Sequence, residues 1–221
     1  MYFADREQAG RELGKMLKSK YKSLKPLVIG IPRGGVEVAY YVAKELNAEL
    51  SIIVSKKLPL PTQKEFGIGA IAEEYSVYVS PVGKELLSPK AINQIIEEQM
   101  EEVEQRVKKY RHGKPLPDLT GRTVILVDDG IATGVTLVPV IKLCKKKGAG
   151  KVIVASPVSG TKYDENLNEA DEVEVLVQPA NFYAVGQVYE TFGDFADEDL
   201  MYLLRAAEGE RNKEESNSND A

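Results

Sequence analysis

Two adjacent aspartates, Asp128 and Asp129, follow a short apolar run in the stretch VILVDDGIATGVT, which spans residues 124–136. The apolar run has the composition of a buried strand. Because an isolated carboxylate is costly to remove from water, a pair of carboxylates at a strand end indicates a cleft in which cations, hydroxyl groups or backbone N–H groups meet them. We interpret this stretch as a binding site.

The loop after the aspartates could hold an anion. Gly130 and Gly134 allow tight bends, and the small Ala132 leaves room for a close approach. The N–H groups of residues 132–136 can converge on one anion at the start of a following helix, and the two threonines in that range add hydroxyl donors. The aspartates would repel a phosphate placed beside them, so we expect them to face neutral hydroxyl groups or a metal-bound group. A ribose 5-phosphate satisfies both requirements.

The elements that must position these residues alternate between short apolar runs and segments with helical periodicity. A first amphipathic helix is predicted from Asp5 to Lys20, with Asp5 as its cap. The apolar runs that follow are PLVIGIP, ELSIIVSKK, TVILVDDG, KVIVASPV and EVEVLVQP. Strands that alternate with helices predict a parallel sheet with both faces covered, and ligands of such sheets bind beside the carboxyl ends of the strands.

Two further segments do not belong to this alternation. Residues 57–66 carry two prolines and mixed polarity, which predicts a mobile loop leading into a hairpin at GIGAIAEEYSVYV. Residues 88–111 predict a long helix with one apolar stripe, which must pack on the domain or on a partner. The stripe consists of Ile92, Ile95, Ile96, Met100, Val103 and Val107.

Composition excludes several classes of protein. The 221 residues fit one α/β domain, and a net charge of -5 gives no general reason to expect binding to nucleic acid or to an anionic membrane. A single cysteine, Cys144, and a single histidine, His112, cannot form a disulfide framework or a Cys/His zinc site. No apolar run approaches the roughly twenty residues that span a bilayer, so we expect a soluble protein of a reducing cytoplasm. Residues 208–221 are polar and predict a disordered tail.

The stretch at residues 124–136 resembles the phosphoribosyl pyrophosphate signature of type I phosphoribosyltransferases, in which two acidic residues precede a loop that contains Thr-Gly. The segment IPRGGVEV resembles the loop of that family that contacts pyrophosphate, with Arg33 as the basic side chain and Gly34 and Gly35 as the backbone donors. On its own, that segment would equally fit a strand-to-helix turn with a surface arginine.

The resemblance also implies a flexible loop that closes over the substrate after the second strand. Lys56 and Lys57 are the candidates for added positive charge there, with Lys64 and Glu65 as further candidates. A lysine pair at a strand end also fits a solvated edge, so this assignment depends on the family resemblance.

The segment FYAVGQVYETFGDF, at residues 182–195, resembles the base-binding segment of hypoxanthine-guanine phosphoribosyltransferases. The resemblance implies that Phe182 and Tyr183 contact the base, with Tyr183 as the stacking residue, and that Val185 presents backbone groups to the base edge. Glu190 takes the place of an acid that contacts metal. The alternative is that Phe182, Tyr183, Tyr189 and Phe192 are ordinary core residues.

The acceptor base is not assigned by the sequence. Hypoxanthine enzymes place an aspartate at the position of Ala132, which looks more like adenine phosphoribosyltransferases, whereas the 182–195 segment resembles the hypoxanthine type. The lysine that reads the 6-oxo group in the hypoxanthine enzymes has no counterpart in register, because Lys162 is displaced from that position. Across residues 3–205 the arrangement resembles the uncharacterised phosphoribosyltransferase-domain proteins of bacteria and archaea.

The resemblance implies an α/β type I phosphoribosyltransferase fold: a parallel sheet flanked by helices, a flexible hairpin loop and a small C-terminal hood. One domain at residues 1–207 would include the hood at about 178–195. The implied reaction transfers ribose 5-phosphate from phosphoribosyl pyrophosphate to a purine-like base with Mg²⁺, as in nucleotide salvage. The alternative is a regulator that binds phosphoribosyl pyrophosphate or a nucleotide without catalysis. Besides small-molecule substrates, we expect a homodimer or another homo-oligomer as the assembly.

The resemblance implies roles for the following residues. Catalytic roles are implied for Asp128, Asp129, Arg33 and Lys57. Substrate binding is implied for Arg33, Gly34, Gly35, Lys56, Asp128, Asp129, Gly130, Ile131, Ala132, Thr133, Gly134, Val135 and Thr136. The implied metal contacts are Asp128, Asp129 and Glu190, with Mg²⁺ held largely through substrate oxygens.

Overall fold

The computed structural model describes the backbone of residues 2–219 and the side chains of residues 2–211. Its strands are β1 (Leu27–Gly30), β2 (Glu49–Ile52), β3 (Ser55–Leu60), β4 (Gln63–Ala72), β5 (Ser76–Val79), β6 (Thr123–Val127), β7 (Lys151–Val158) and β8 (Glu172–Val177). Its α-helices are α1 (Arg6–Tyr21), α2 (Gly34–Leu46), α3 (Pro81–Leu86), α4 (Pro89–Arg111), α5 (Leu137–Lys146) and α6 (Asp197–Asn219). Short 3₁₀ turns lie at Lys22–Leu24, Glu165–Glu169 and Val185–Val188.

The central sheet has five strands in the order β2-β1-β6-β7-β8, and each neighbouring pair is parallel. Alternate residues of each strand face opposite sides, so Leu27 and Ile29 enter one apolar cluster while Val28 enters another. Helices α1 and α2 cover the side of Val28, and α5 covers the other side. The prediction of a parallel sheet with both faces buried is confirmed.

A second sheet, β3-β4-β5, is antiparallel. The prediction of a loop at residues 57–66 was wrong in detail, because most of this segment forms β3 and the start of β4. The pairing tolerates the prolines because the register shifts around Pro59, which has no N–H to donate, and Pro61 lies in the turn. The segment is therefore the tip of a hairpin that closes tightly.

The apolar stripe of the long helix α4 packs on its own domain. Ser88 caps the helix, and Ile95, Met100 and Val103 are buried in a cluster that β3, β4 and α6 complete. The sequence left open whether a partner covers this stripe, and the structure shows that the hairpin sheet and α6 do so. Among the described helices, none is long and apolar enough to cross a membrane.

The sequence predicts a disordered tail at residues 208–221, whereas the structure describes α6 as continuing to Asn219. Side-chain contacts account for the first part of this extension. Glu208 pairs with Lys114 at 3.0 Å, and Glu210 pairs with Lys44 at 3.0 Å. Glu, Lys and Arg are also good helix formers, so a polar composition alone does not exclude a helix. The last two residues, 220–221, lie outside the described part of the chain.

Candidate functional site

The aspartate pair and the β1–α2 turn lie side by side because β1 and β6 are neighbours in the sheet. The two segments are joined directly: Ile31 N–H donates to Val127 O at 2.9 Å. Both follow the carboxyl end of a parallel strand, which is where ligands of open α/β sheets bind. The peptide bond between Pro32 and Arg33 is cis.

The two glycines of the β1–α2 turn are packed against the aspartates. A Cβ at Gly34 would overlap Asp129 Oδ2, and a Cβ at Gly35 would lie 2.9 Å from both Cα and Oδ1 of Asp128. Any side chain at these positions would displace the acidic pair. The resemblance implies that these glycines serve as backbone donors to a ligand, and the structure adds that they make room for the carboxylates.

Arg6, the first residue of α1, is the main partner of Asp129 and was missed by the sequence reasoning. Its Nε donates to Asp129 Oδ2 at 2.8 Å, and its Nη1 donates to Gly193 O at 3.0 Å. The guanidinium lies 4.1 Å above the ring of Phe192, with Glu37 Oε2 3.8 Å from Nη1. Arg6 is only 8% exposed. No local pattern could have found it, since its partners are 123 and 187 residues away in the chain.

Burial raises the pKa of both aspartates above the ordinary range. For Asp128 the neighbouring charge of Asp129 acts in the same direction, while Arg6 and Lys57 oppose the rise in pKa. For Asp129 the Arg6 guanidinium is the main opposing influence on the pKa. Both side chains are half-buried. Because two adjacent carboxylates in a poorly solvated place resist carrying two charges, the pair favours a cation or a developing positive charge beside it.

The loop at residues 130–136 combines a buried anchor with an exposed surface. Ile131 and Val135 are buried in the core, and Ile131 N–H donates to Val158 O at 2.8 Å. Ala132 and Thr133 are exposed, and Gly134 has φ +73°, a conformation that favours glycine.

Four N–H groups at residues 132–136 donate to no acceptor in the described part of the chain. They belong to Ala132, Thr133, Gly134 and Thr136. Since backbone donors are normally satisfied, four free donors in one short loop indicate that a solvent or ligand acceptor meets them.

The lysines of β3 point in different directions, as neighbours on a strand do. The ammonium of Lys56 pairs with Glu102 of α4. The structure therefore does not bring Lys56 into the site, which corrects the expectation from sequence. Lys57 is exposed, has no ion pair with any described residue, and its charge lowers the pKa of Asp128. Arg33 is likewise exposed without an ion pair among the described side chains.

A buried ion pair fastens the hairpin that carries Lys57. Glu73, which follows β4, accepts from Arg111 Nη2 at 2.6 Å and Nη1 at 3.1 Å, and from Val54 N–H at 2.8 Å. Burial raises the pKa of Glu73, and Arg111 opposes that rise. The end of α4 thus fixes the base of the hairpin, while Lys64 and Glu65 near its tip are exposed.

The C-terminal segment meets the aspartates through Tyr189 and Val185. Tyr189 Oη donates to Asp129 O at 2.6 Å, and a Cβ at Gly130 would overlap the side chain of Val185. Phe182 is half-buried and Tyr183 is 86% exposed. The alternative of ordinary core aromatics therefore holds for Tyr189 and not for Tyr183.

The same segment is held by the start of the chain. Phe3 N–H donates to Val188 O at 2.7 Å, Glu190 N–H donates to Phe3 O at 2.8 Å, and Thr191 N–H donates to Ala4 O at 2.9 Å. The ring of Phe3 lies 5.7 Å from that of Tyr189. The hood is thus built from both ends of the domain, a pairing that the sequence did not indicate.

The donor set suits a metal held largely by substrate oxygens. No group of three or more His, Cys, Asp or Glu side chains suited to a metal ion occurs among the described residues. The aspartate pair offers two carboxylates. Glu190 is exposed, and its side chain makes no hydrogen bond within the described chain.

Comparison with known proteins identifies the family. A family model described as the phosphoribosyl transferase domain matches residues 3–190. The chain belongs to the phosphoribosyl transferase family. The match includes the aspartate pair, the β1–α2 turn and most of the hood.

Three individual proteins are similar to this chain over most of its length. A Mycobacterium tuberculosis protein, named provisionally as a phosphoribosyl transferase, is 37% identical over 208 residues, which cover 93% of this chain and 47% of that protein. The chain thus spans about half the length of this curated relative. The crystal structure of TT1426 from Thermus thermophilus has a TM-score of 0.79 at 34% identity, covering 92% of this phosphoribosyl transferase chain and 98% of that one. A purine phosphoribosyltransferase of Pyrococcus horikoshii has a TM-score of 0.45 at 18% identity, covering 81% and 90%.

Proposed function

We propose that this phosphoribosyl transferase moves ribose 5-phosphate from phosphoribosyl pyrophosphate to a ring nitrogen of a purine-like base, as in nucleotide salvage. The observation that carries the proposal is the pairing of two half-buried carboxylates with four free N–H donors at residues 132–136, at the carboxyl end of the sheet. The carboxylates suit ribose hydroxyl groups, and the free donors suit the 5-phosphate.

In the proposed reaction the bond between ribose C1 and the pyrophosphate oxygen breaks, and the oxygen keeps the electron pair. The ring nitrogen forms the new bond to C1 and then loses its proton. Positive charge develops on the ribose, and Asp128 and Asp129 favour it because they lie in a poorly solvated site with raised pKa values. Catalysis by this chain is then mainly electrostatic and positional.

Arg33 and Lys57 support the pyrophosphate side of the proposal. Both are exposed cations without an ion pair among the described residues. The charge of Lys57 acts on Asp128, and Arg33 precedes Gly34, which packs against Asp129. Guanidinium suits phosphate oxygens in a bidentate geometry. Mg²⁺ would supply further positive charge to the leaving pyrophosphate, with Asp128, Asp129 and Glu190 as the protein groups available to it.

The acceptor side of the proposal rests on Tyr183 and Val185. The exposed ring of Tyr183 is free to stack on a flat base, and Val185 lies directly against Gly130, next to the aspartates. Phe182 packs beside Gly160, since a Cβ at Gly160 would lie 3.4 Å from Phe182 Cδ1.

A second candidate is a regulator that binds phosphoribosyl pyrophosphate or a nucleotide without catalysis. The ion pair between Arg6 and Asp129 favours it, because a carboxylate already neutralised at 2.8 Å stabilises a positive ribose less well. In this candidate the site binds substrate and turns it over slowly or not at all.

One experiment separates the two candidates. Pyrophosphate release from phosphoribosyl pyrophosphate and Mg²⁺ is measured across a panel of purine and pyrimidine bases, with a control that lacks any acceptor. Release above the control with at least one base supports the transferase. Binding of phosphoribosyl pyrophosphate without release across the panel supports the regulator, and absence of both contradicts the site assignment.

A further inference from the structure

A cavity of about 430 Å³ lies on the far side of β1 from the aspartate pair. Its walls are the outer edge of β2, the end of α4 with the residues that follow it, and one face of α6. None of the residues assigned to the phosphoribosyl transferase site lines it. The volume falls within the range of small-molecule sites.

The cavity is rich in basic side chains although the protein has a net charge of -5. The basic residues that line it are Arg111, His112, Lys114, Arg205 and Arg211. The acidic residues in the lining are Glu49 and Glu208, which pair with Arg211 and Lys114 respectively. The side chains of His112 and Arg205 have no ion pair or hydrogen bond with any residue that the structure describes, so these two side chains are available to an anion.

The rest of the lining can hold a flat apolar group. It includes Leu50, Pro115, Pro117, Met201 and Leu204. Strand β2 has only β1 beside it in the sheet, so backbone N–H and C=O groups on its outer edge face the cavity. Arg111 Nη1 uses one of them by donating to Ile52 O at 3.2 Å. An unpaired strand edge offers alternating donors and acceptors to a ligand that has the same.

We propose that this cavity binds a nucleoside phosphate. The heterocycle packs on the apolar lining and hydrogen-bonds to the edge of β2, while the phosphates meet Arg205 and His112. Both halves are needed: cations alone would hold any small anion, and the strand edge alone would hold any flat heterocycle. This site is independent of the proposed transferase reaction, because it uses none of the same side chains.

The test is titration calorimetry of ATP without Mg²⁺ into the full chain and its variants. Arg205→Glu reverses a charge in the lining and should weaken ATP binding at least tenfold. Lys108→Glu is the matched control, since Lys108 is an exposed helix cation outside the cavity, and it should change binding less than twofold. Inorganic tripolyphosphate should bind the unaltered chain at least tenfold more weakly than ATP.

Three results would overturn the proposal. The first is the absence of saturable ATP binding. The second is binding that Arg33→Glu weakens and Arg205→Glu does not, which would place ATP in the aspartate site. The third is tripolyphosphate that binds as tightly as ATP, which would remove the heterocycle from the site. Because Arg205 is exposed, its substitution is expected to leave the thermal unfolding midpoint unchanged, and Arg205→Ala serves as a milder second variant.

Discussion

The site has a phosphate half, formed by Gly34, Gly35 and residues 128–136, and an acceptor half, formed by residues 182–190. The two halves are built differently. On the phosphate side, Gly34 and Gly35 fit against the aspartates so closely that neither position has room for a Cβ. On the acceptor side, Tyr183 is 86% exposed, and its ring packs against no other ring in the described chain. One half is a packed core feature that reaches the surface, and the other is a surface segment held at its ends.

This difference indicates where specificity and where chemistry reside. A tightly packed half has one geometry, which suits a substrate group that is always the same, such as a ribose phosphate. A segment held by Phe3 and Tyr189 but free at Tyr183 can change its side chains without disturbing the core. We expect substitutions in the first half to alter binding of the common substrate, and substitutions in the second half to alter only the acceptor.

The largest effect is expected from replacing both carboxylates. Asp128→Asn with Asp129→Asn should reduce binding or turnover of phosphoribosyl pyrophosphate about a thousandfold, since roughly 4 kcal/mol of electrostatic stabilisation is lost. Stability should change little, because the relief of burying two acids with raised pKa values is offset by the loss of the charged partner of Arg6. Calorimetric binding and thermal unfolding measure the two effects. Unchanged binding in a folded double variant would contradict the site assignment.

The next effect concerns the ion pair that links the two halves. Arg6→Met leaves Asp129 without its partner and should lower the free energy of unfolding by about 2–3 kcal/mol, less than for a fully buried pair because the site is partly open to solvent. The matched control is Arg11→Met in the same helix, where the exposed pair with Glu7 should contribute about 0–1 kcal/mol. Urea unfolding compares them, and equal losses would show that Arg6 is an ordinary surface arginine.

A third prediction addresses the packing of the phosphate half alone. Gly35→Ala should destabilise the protein by about 1–3 kcal/mol, because the new methyl would lie 2.9 Å from Asp128 Cα and from Val127 O. The gain in helix propensity from alanine, about 1 kcal/mol, is too small to reverse this clash with backbone atoms. Gly193→Ala is the control, since a Cβ there meets nothing within 4 Å. If the two alanine variants unfold at the same urea concentration, the close packing of the phosphate half is disproved.

The phosphate half could be predicted from the sequence because its chemistry is contiguous. Asp128 to Thr136 form one run, and the apolar residues on either side of that run predict the strand and the helix that position it. Arg6 could not be predicted, because its contacts depend on how α1 folds back over the sheet to reach Asp129 and Gly193. The structure places Lys56 away from the site for a local reason. Side chains alternate along a strand, so only one of two adjacent lysines can face the site, and Lys56 pairs with Glu102 of α4 on the other face.

A separate effect is expected in the pH dependence of stability. In the folded state the pKa of Asp128 is raised above the ordinary aspartate pKa of about 3.9, so the folded protein keeps a proton that the unfolded chain has lost. The free energy of unfolding therefore falls as pH rises from about 3.9 through the raised pKa. Asp128→Asn removes this loss, so the variant should gain stability over the unaltered chain as pH rises, by about 1.4 kcal/mol for each unit by which the pKa is raised. Urea unfolding at pH 5 and pH 8 measures the difference. Asp199→Asn, an exposed position on α6, should give a difference that does not change between these pH values.

The smallest effect on the fold is expected at Tyr183, and this substitution tests whether the two halves act independently. Tyr183→Ala should change the free energy of unfolding by less than about 0.5 kcal/mol, because the side chain is almost fully exposed. Loss of stacking should raise the KM for the acceptor base about tenfold, while the KM for phosphoribosyl pyrophosphate stays within twofold. Tyr202→Ala replaces a tyrosine that is 64% exposed on α6, and both KM values should stay unchanged. A parallel rise in both KM values for Tyr183→Ala would mean that the two halves act as one unit, and that the acceptor cannot change independently of the ribose phosphate.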